Sequence, residues 1–596
     1  MKWAVELGPD DLEAALDREL EKVVGVGHFE YRRAMSVTGN MPMRMFNALV
    51  RLVDESGVTE KLAEWDQERR KANTGRKPFF SFRAVLVIEL MTVLWNRGVQ
   101  YQEIGATIAH RLTTMQCHAL GFKRDKVPES TWVQRHWRAK KRLLTLIDPY
   151  YLTPKNKRLP LEDALKALAN TDQERERRLQ WVIQALVDAS VSRLPQRYHN
   201  AYSGDVSLDS TRIKIQGRVH SRAFTLTRGG TPLDDPEVIA ARRTLLPGGR
   251  LTNADFTAGT YQRRGIIEPA HELDFVTMMD AAGYDEHPAF ARLITAVAIH
   301  RPSEITNGPR LAMQAHSRTF TQRGLMAADR AFNGSDPVNL QLPLRRDYWE
   351  MAFDYKKSEF GLQGTVPGRD IIVVDGALYV DRMPDRLKDG VNWYKNDTPD
   401  PVTGELLTWN DVENIIEERR AYQMKRHGSI KSEGKNGAQR FTYPDPSNYR
   451  AFDPATGKPI PAHKNRLRGS VLIHPHESFV KHLQRYPWGT PEWATAYGQR
   501  NQVESSNSDV KRSRFVDIED PQKRSGRGMA FHGLASALMV LAHNIRKLVS
   551  ALVEEHTPTT SKNRKTPRAN TERPNWTLSG AELDAAEPPG EEDAAA

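Results

Sequence analysis

The chain has 596 residues, 39% hydrophobic and 27% charged, with a net charge of +11. That length allows several domains, and the basic balance favours a polyanionic partner over a merely solvated basic surface. Cys117 is the single cysteine, which excludes a disulfide framework and a multi-cysteine zinc site and fits a reducing compartment. No apolar run has the length of a membrane span and the N-terminus lacks a signal-peptide pattern, so a cytoplasmic chain with no membrane partner is expected.

Residues 1–195 read as helical. Leu12, Ala15, Leu16 and Leu20 mark a first amphipathic helix, and residues 43–55 a second, stopped by Gly57. After a turn at Gly75-Arg76-Lys77-Pro78 come an apolar helix at 81–96, a helix at 101–111 and a cationic helix at 130–144. Two helices followed by a cationic third suit a helix-turn-helix DNA reader within 75–145, and equally a helical bundle with a basic rim. In the third, Gln134, Arg135, Arg138, Lys141 and Arg142 face phosphates or bases on the first reading, while Trp132 and Trp137 pack. A long amphipathic helix over 171–194 leads out of this region.

The period changes at residues 196–360. Residues 205–216, DVSLDSTRIKIQ, alternate as a strand with Asp209 inside it. A charge in a strand must face water, a partner or a metal. Asp205, at the strand edge, is its rival, with a turn role as the default. Residues 217–270 are rich in Gly, Arg and Pro and read as an inserted loop region. Strands follow at 272–279 and 293–300, then a helix over 303–319, then a short apolar strand, 324–328, ending in Asp329. A buried strand with an acid at its carboxyl edge is a usual place for a site in an α/β sheet, although Asp also caps turns.

Residues 361–489 carry hairpin signals and basic side chains. Asp375-Gly376 joins two alternating runs as a tight turn. A helix is expected near 410–425. Lys425, Arg426, Lys431, Lys435, Arg440, Lys464, Arg466 and Arg468 either lie along DNA or decorate a solvated loop. His474 and His476 lack a third partner for a metal. Residues 490–515 open with Thr490 and Pro491, a helix cap and first-turn proline. Tyr497, Arg500, Glu504 and Lys511 then follow at steps of three, four and seven, which places them on one helical face. Lys511, Arg512 and Arg514 extend its basic character. From Phe531, leucines and isoleucines recur at helical steps, completing a segment 490–555. Beyond it, residues 556–596 are polar, Pro-rich and acidic and read as disordered.

The series Tyr, two residues, Arg, three residues, Glu, six residues, Lys resembles the signature of the DDE transposases of bacterial insertion sequences, in the branch named for those four letters. Asp209-Ser210-Thr211 and Asp329 with Ala331 and Phe332 are similar to the family's two aspartate motifs. GRKPFFSFRAVL and PESTWVQRHWR resemble its N-terminal helical domain. The resemblance implies an RNase H-like α/β core of mixed sheet flanked by helices, with a β-rich insertion at 361–489 and an α-helical DNA-binding region before it. It implies catalytic acids Asp209, Asp329 and Glu504 holding two Mg²⁺ or Mn²⁺ ions. Tyr497, Arg500, Lys511, Arg512, Arg514, Arg135, Arg138 and Lys141 would meet DNA phosphates. The implied activity is cleavage and strand transfer of double-stranded DNA at transposon ends, by a homodimer on paired ends. A non-transposing nuclease on the same fold and a domesticated DNA-binding protein are the alternatives.

Overall fold

The structure, a computed structural model, describes residues 9–557 apart from 37–38, 71–76, 264, 281–288, 303–306, 335, 429–436, 476, 501–507 and 512–515. The tail expected beyond His556, residue 557 excepted, lies outside the described residues, as do Lys431, Lys435 and His476.

A six-stranded mixed sheet is built around β1 (Val206–Lys214). Its partners are β2 (Gly259–Arg263), β3 (Ile266–Met278), β4 (Ile294–His300), β5 (Leu325–Ala328) and β6 (Glu350–Phe353). β3 runs antiparallel to β1, and its two halves pair with β2 and β4 in turn. On the other side β5 runs parallel to β1, and β6 parallel to β5. β5 is buried at all four residues, LMAA, as expected of a parallel strand covered on both faces.

The outer edge of β4 is sealed by side-chain amides. Asn544 accepts from the Ile294 N–H at 3.0 Å and donates to the Ile294 carbonyl at 2.7 Å. Gln184 donates to the Thr295 carbonyl at 2.9 Å and Gln180 to that of Val297 at 2.7 Å. Backbone groups that a further strand would otherwise claim are thereby satisfied. The amides come from two helices, Gln173–Val191 and Met529–His556. The second has the length and apolarity of a membrane span, which sequence inspection missed, yet it is mostly buried inside the protein. Its Leu534, Leu538, Leu541 and Leu548 belong to the core that also holds Val206, Leu208 and Val297.

That core continues without interruption into the N-terminal helices, among them Pro9–Val24, Met43–Glu55, Phe82–Leu94 and Glu129–Ile147. Phe82–Leu94 is buried at every residue except Arg83. Its one acid, Glu89, meets Lys140 at 2.5 Å and His136 at 3.1 Å, all three without solvent exposure. Thr107–Arg111 forms a π-helical turn that extends the Tyr101–Ala106 helix.

Two expectations are corrected. The stretch after β1 is a small folded unit, with helices Arg222–Arg228 and Pro236–Ala241 and its own apolar cluster of Phe224, Leu251 and Phe256 against Tyr150 and Leu161. Its glycines mark turns between these elements, so composition alone read as loop. Trp137, expected to pack, is 45% exposed, whereas Trp132 is buried.

Residues 361–489 contain two three-stranded antiparallel sheets, β7 (Leu362–Thr365), β8 (Ile371–Val374) and β9 (Ala377–Val380), then β10 (Lys425–His427), β11 (Gln439–Thr442) and β12 (Ser470–Ile473). Helices Asp385–Lys395, unforeseen, and Trp409–Arg419 accompany them. They share a second apolar core that includes Trp488 and Trp493. Asp375-Gly376 makes the tight turn between β8 and β9, both at positive φ. The turn is anchored by a buried ion pair between Asp375 and Arg419 at 2.6 Å.

Replacing Lys140 by Met should destabilise the protein by about 3–5 kcal/mol, because Glu89 is left charged and buried without its cation. The double variant with Glu89→Leu should recover most of that loss. Thermal unfolding of the two variants beside wild type measures both effects.

Candidate active site

The register of three parallel strands fixes the site. Leu208 of β1 lies opposite Ala328 of β5, and Ala328 opposite Phe353 of β6. The next residues are Asp209, Asp329 and Asp354. Neighbouring strands lie about 4.8 Å apart, so three acids emerge side by side at one edge. β1 is closed on both faces up to Leu208 and opens to partial exposure at Asp209 and Ser210.

These acids line a cavity of about 590 Å³ with Glu272 and Glu519. The same walls carry Arg212, Arg263, Arg330, Arg500, Lys511 and Tyr497. The structure therefore brings together Asp209, Asp329, Tyr497, Arg500 and Lys511. Glu504, Arg512 and Arg514 lie outside the described residues. Arg135, Arg138 and Lys141 sit apart, on the Glu129–Ile147 helix, and do not line this cavity. There Arg135 pairs with Asp125 at 2.8 Å and covers the Phe79 ring at 4.0 Å. Arg138 and Lys141 are exposed beside Trp137. Of the basic residues expected in the insertion, Arg426 is held by Glu350 at 2.5 Å and by the Gln484 carbonyl.

Asp354 escaped the sequence reading, although a signal was present. Met326-Ala-Ala-Asp329 is echoed by Met351-Ala-Phe-Asp354, and the two runs are neighbours in register. Asp354 accepts hydrogen bonds from the Trp488 indole at 3.0 Å and the Tyr355 N–H at 2.9 Å. Asp329 caps the short helix Arg330–Asn333, accepting from the Arg330 N–H at 2.6 Å. The capping role and a place in the cavity therefore coexist.

Tyr497 is placed by the helix Pro491–Gly498, which Thr490 caps by accepting from the Trp493 N–H at 3.2 Å. Trp493 ties this helix to the end of β6, donating to the Phe353 carbonyl at 3.2 Å and to the Gln484 amide oxygen at 2.9 Å. Tyr497 stacks on the Trp493 ring at 4.8 Å, and the Arg500 guanidinium lies 5.3 Å from the Tyr497 ring. The helix expected to run unbroken through 490–515 ends, in its first described part, at Gly498 with Gln499 as cap. Lys511, on a second described helical stretch, lies 3.3 Å from Glu519.

The residue beside Asp209 is held from behind. Ser210 donates its hydroxyl to Asp274, and Asp274 meets His300 Nε2 at 2.9 Å. His300 Nδ1 faces the Arg301 carbonyl at 2.7 Å, so both ring nitrogens face acceptors. Burial opposes a charge on His300, but Asp274 and Glu272 outweigh it and raise the imidazole to about 9. Asp205, the rival to Asp209, is structural. Its carboxylate accepts from the Leu325 N–H at 2.7 Å and pins the start of β5 to β1.

A second group of ligand-type side chains lies elsewhere. Asp255, His271 and His532 are buried, with one ligand atom each within 4.8 Å of the others, a grouping that could hold a metal ion. Arg524 faces His532 Nδ1 at 3.2 Å. A guanidinium only donates, so the proton of His532 sits on Nε2, toward Asp255 at 3.9 Å. That tautomer blocks Nε2 as a ligand, and the buried guanidinium disfavours a cation nearby. Asp255 instead accepts from the Gly528 N–H at 2.6 Å and Thr257 from the Met529 N–H at 3.0 Å, which fastens the start of the Met529–His556 helix to the segment before β2.

Compared with known proteins, the chain matches no family model and no curated relative.

The His300 shift sets a pH window. Its pKa is about 9 in the folded protein against the ordinary imidazole value of about 6.5, so its contribution is complete below about pH 6.5 and lost as pH rises through 9. His300→Gln should remove a pH-dependent stability on the order of 3 kcal/mol at pH 6 and nothing by pH 10. Urea unfolding of both proteins across that range is the measurement.

Proposed function

We propose that the chain is a metal-dependent DNA transposase of the DDE type, built on an RNase H-like core. The observation that carries this is the register of β1 and β5, which sets Asp209 beside Asp329 in a cavity that also holds Tyr497, Arg500 and Lys511. Asp209, Asp329 and the 497–511 stretch are 120 or more residues apart in sequence, and folding brings all three to one cavity. The strand order supports the same reading. β1, β3 and β4 are successively antiparallel, and β5 and β6 join parallel on the other side of β1. With acids on the first and fourth of these five strands, this is the arrangement expected of an RNase H-like core.

The donors suit Mg²⁺ or Mn²⁺, because Asp209, Asp329 and Asp354 present oxygen alone. Glu504 is assigned as a further acid of this set, since it lies in sequence between Arg500 and Lys511, which both line the cavity. When bound, two such ions activate an attacking oxygen and neutralise the leaving one. The protein's own residues do the rest. Arg500 and Lys511 hold the non-bridging oxygens of the scissile phosphate, and Tyr497 presents its hydroxyl to the same group. Arg212, Arg263 and Arg330 keep the cavity attractive to a polyanion despite its acids. Water is the first nucleophile and frees a 3′-hydroxyl, which attacks a second phosphodiester. Joining two ends requires two such sites, hence a homodimer on paired ends. The exposed Arg138 and Lys141 and the β-rich segment 361–489 would grip the flanking duplex.

The test is cleavage of a labelled duplex carrying the element's own terminal sequence, in Mg²⁺ or Mn²⁺. Wild type should cut and EDTA should stop it. Asp209→Asn, Asp329→Asn and Glu504→Gln should each lose at least about a hundredfold in rate while still binding the end. Equal binding with no cleavage by wild type on the correct end would replace this reading with a binding function.

A further inference from the structure

A larger cleft, of about 980 Å³, opens beyond the far end of β1. Its walls are the 156–160 segment, Gln216 to Arg218, the 246–254 loop and Arg527. Five cations line it, Lys157, Arg158, Arg218, Arg250 and Arg527, and no carboxylate does. All five are exposed. None of them pairs with an acid among the described residues, whereas Arg212 and Lys511 in the catalytic cavity do, with Glu268 and Glu519. Five uncompensated positive charges around one concavity repel one another, and an anionic partner removes that cost.

The cleft is also firmly built. Arg250 bridges to Pro160 and to Leu246 in antiparallel fashion, and Asn253 donates to the Arg218 carbonyl at 2.8 Å. The apolar cluster of Phe224, Leu251 and Phe256 lies behind these segments. No aromatic side chain lines the cleft, so it offers no platform for stacking unpaired bases. Its chemistry fits the sugar-phosphate backbone of a duplex. Its rim at Gln216 lies seven residues along the chain from Asp209. β1, which carries Asp209, ends at Lys214, two residues before that rim.

We propose that this cleft is a second DNA contact, gripping phosphates of double-stranded DNA at a place distinct from the catalytic acids. The proposal rests on the reading of the chain as a DNA-cutting enzyme. It adds a site on the unit between β1 and β3 that sequence inspection dismissed as loop.

The experiment measures binding of full-length protein to a 30-base-pair duplex by fluorescence anisotropy, between 50 and 300 mM salt. The variant is Arg158→Ala/Arg218→Ala/Arg250→Ala, whose side chains are exposed and bear no core contact. Each lost phosphate contact lowers the slope of log K against log salt by about 0.9, so the triple variant should be about three units shallower than wild type. Arg177→Ala, an exposed cation that lines neither cavity, should keep the wild-type slope. An unchanged slope in the triple variant overturns the proposal, and so does a larger loss on single-stranded DNA than on duplex. The two readings fail separately. Cleavage by wild type with an unchanged slope sinks the cleft alone, whereas a shallower slope without any cleavage sinks the catalytic reading alone.

Discussion

A shift of β5 by one residue against β1 would dismantle the site. The pairs Val206 with Met326, Ser207 with Ala327 and Leu208 with Ala328 hold the two strands in phase. Since alternate side chains point to opposite faces, a single-residue slip would turn Asp329 away from Asp209 and exchange the side chains that pack on the two covered faces of β5. The phase is protected from both ends. Asp205 fastens the entry of β5, and Phe353, the partner of Ala328, is clasped through its carbonyl by Trp493. The acids can be close together, against their mutual repulsion, because apolar packing a few residues away sets their positions.

Charge is handled differently at the two concave surfaces. In the cavity at Asp209 and Asp329 acids and cations stand together, and pairs such as Lys511 with Glu519 hold side chains in defined places. Such pairs add little stability at an exposed site, and their value here is positional. Behind the cavity, Asp274 answers to a cationic His300 and holds Ser210, the strand neighbour of Asp209. Around the basic cleft no such balance exists, and the backbone ties of Arg250 and Arg218 bear the cost of holding like charges together.

Much of the site was legible from local signals. Asp209 broke an alternating strand, Asp329 ended an apolar one, and Thr490-Pro491 announced the helix that presents Tyr497. Helix periodicity placed Leu12, Leu16 and Leu20 correctly in the core. What was missed depended on pairing between distant segments. Asp354 becomes significant only when β6 is known to lie beside β5. Arg135 reads as a basic helix residue in sequence, and only folding shows that Asp125 and the Phe79 ring stand beside it. The unit after β1 was taken for loop because its turns dominate its composition, while the residues that fill its core include Tyr150 and Leu161 from an earlier segment. The long helix at Met529–His556 has membrane-like composition because it is enclosed by protein on nearly every side.

That enclosure has a consequence for how the molecule comes into being. Chains fold from their N-terminal side as the ribosome releases them. Both aspartates and the basic cleft are translated well before Met529. Until the final helix emerges, the edge of β4 lacks Asn544 and the sheet lacks the apolar cover of Leu534, Leu538 and Leu541. A nascent or prematurely terminated chain therefore carries its acids on an unfinished sheet. The sheet that carries them is complete only in a polypeptide whose synthesis has run through the Met529–His556 helix.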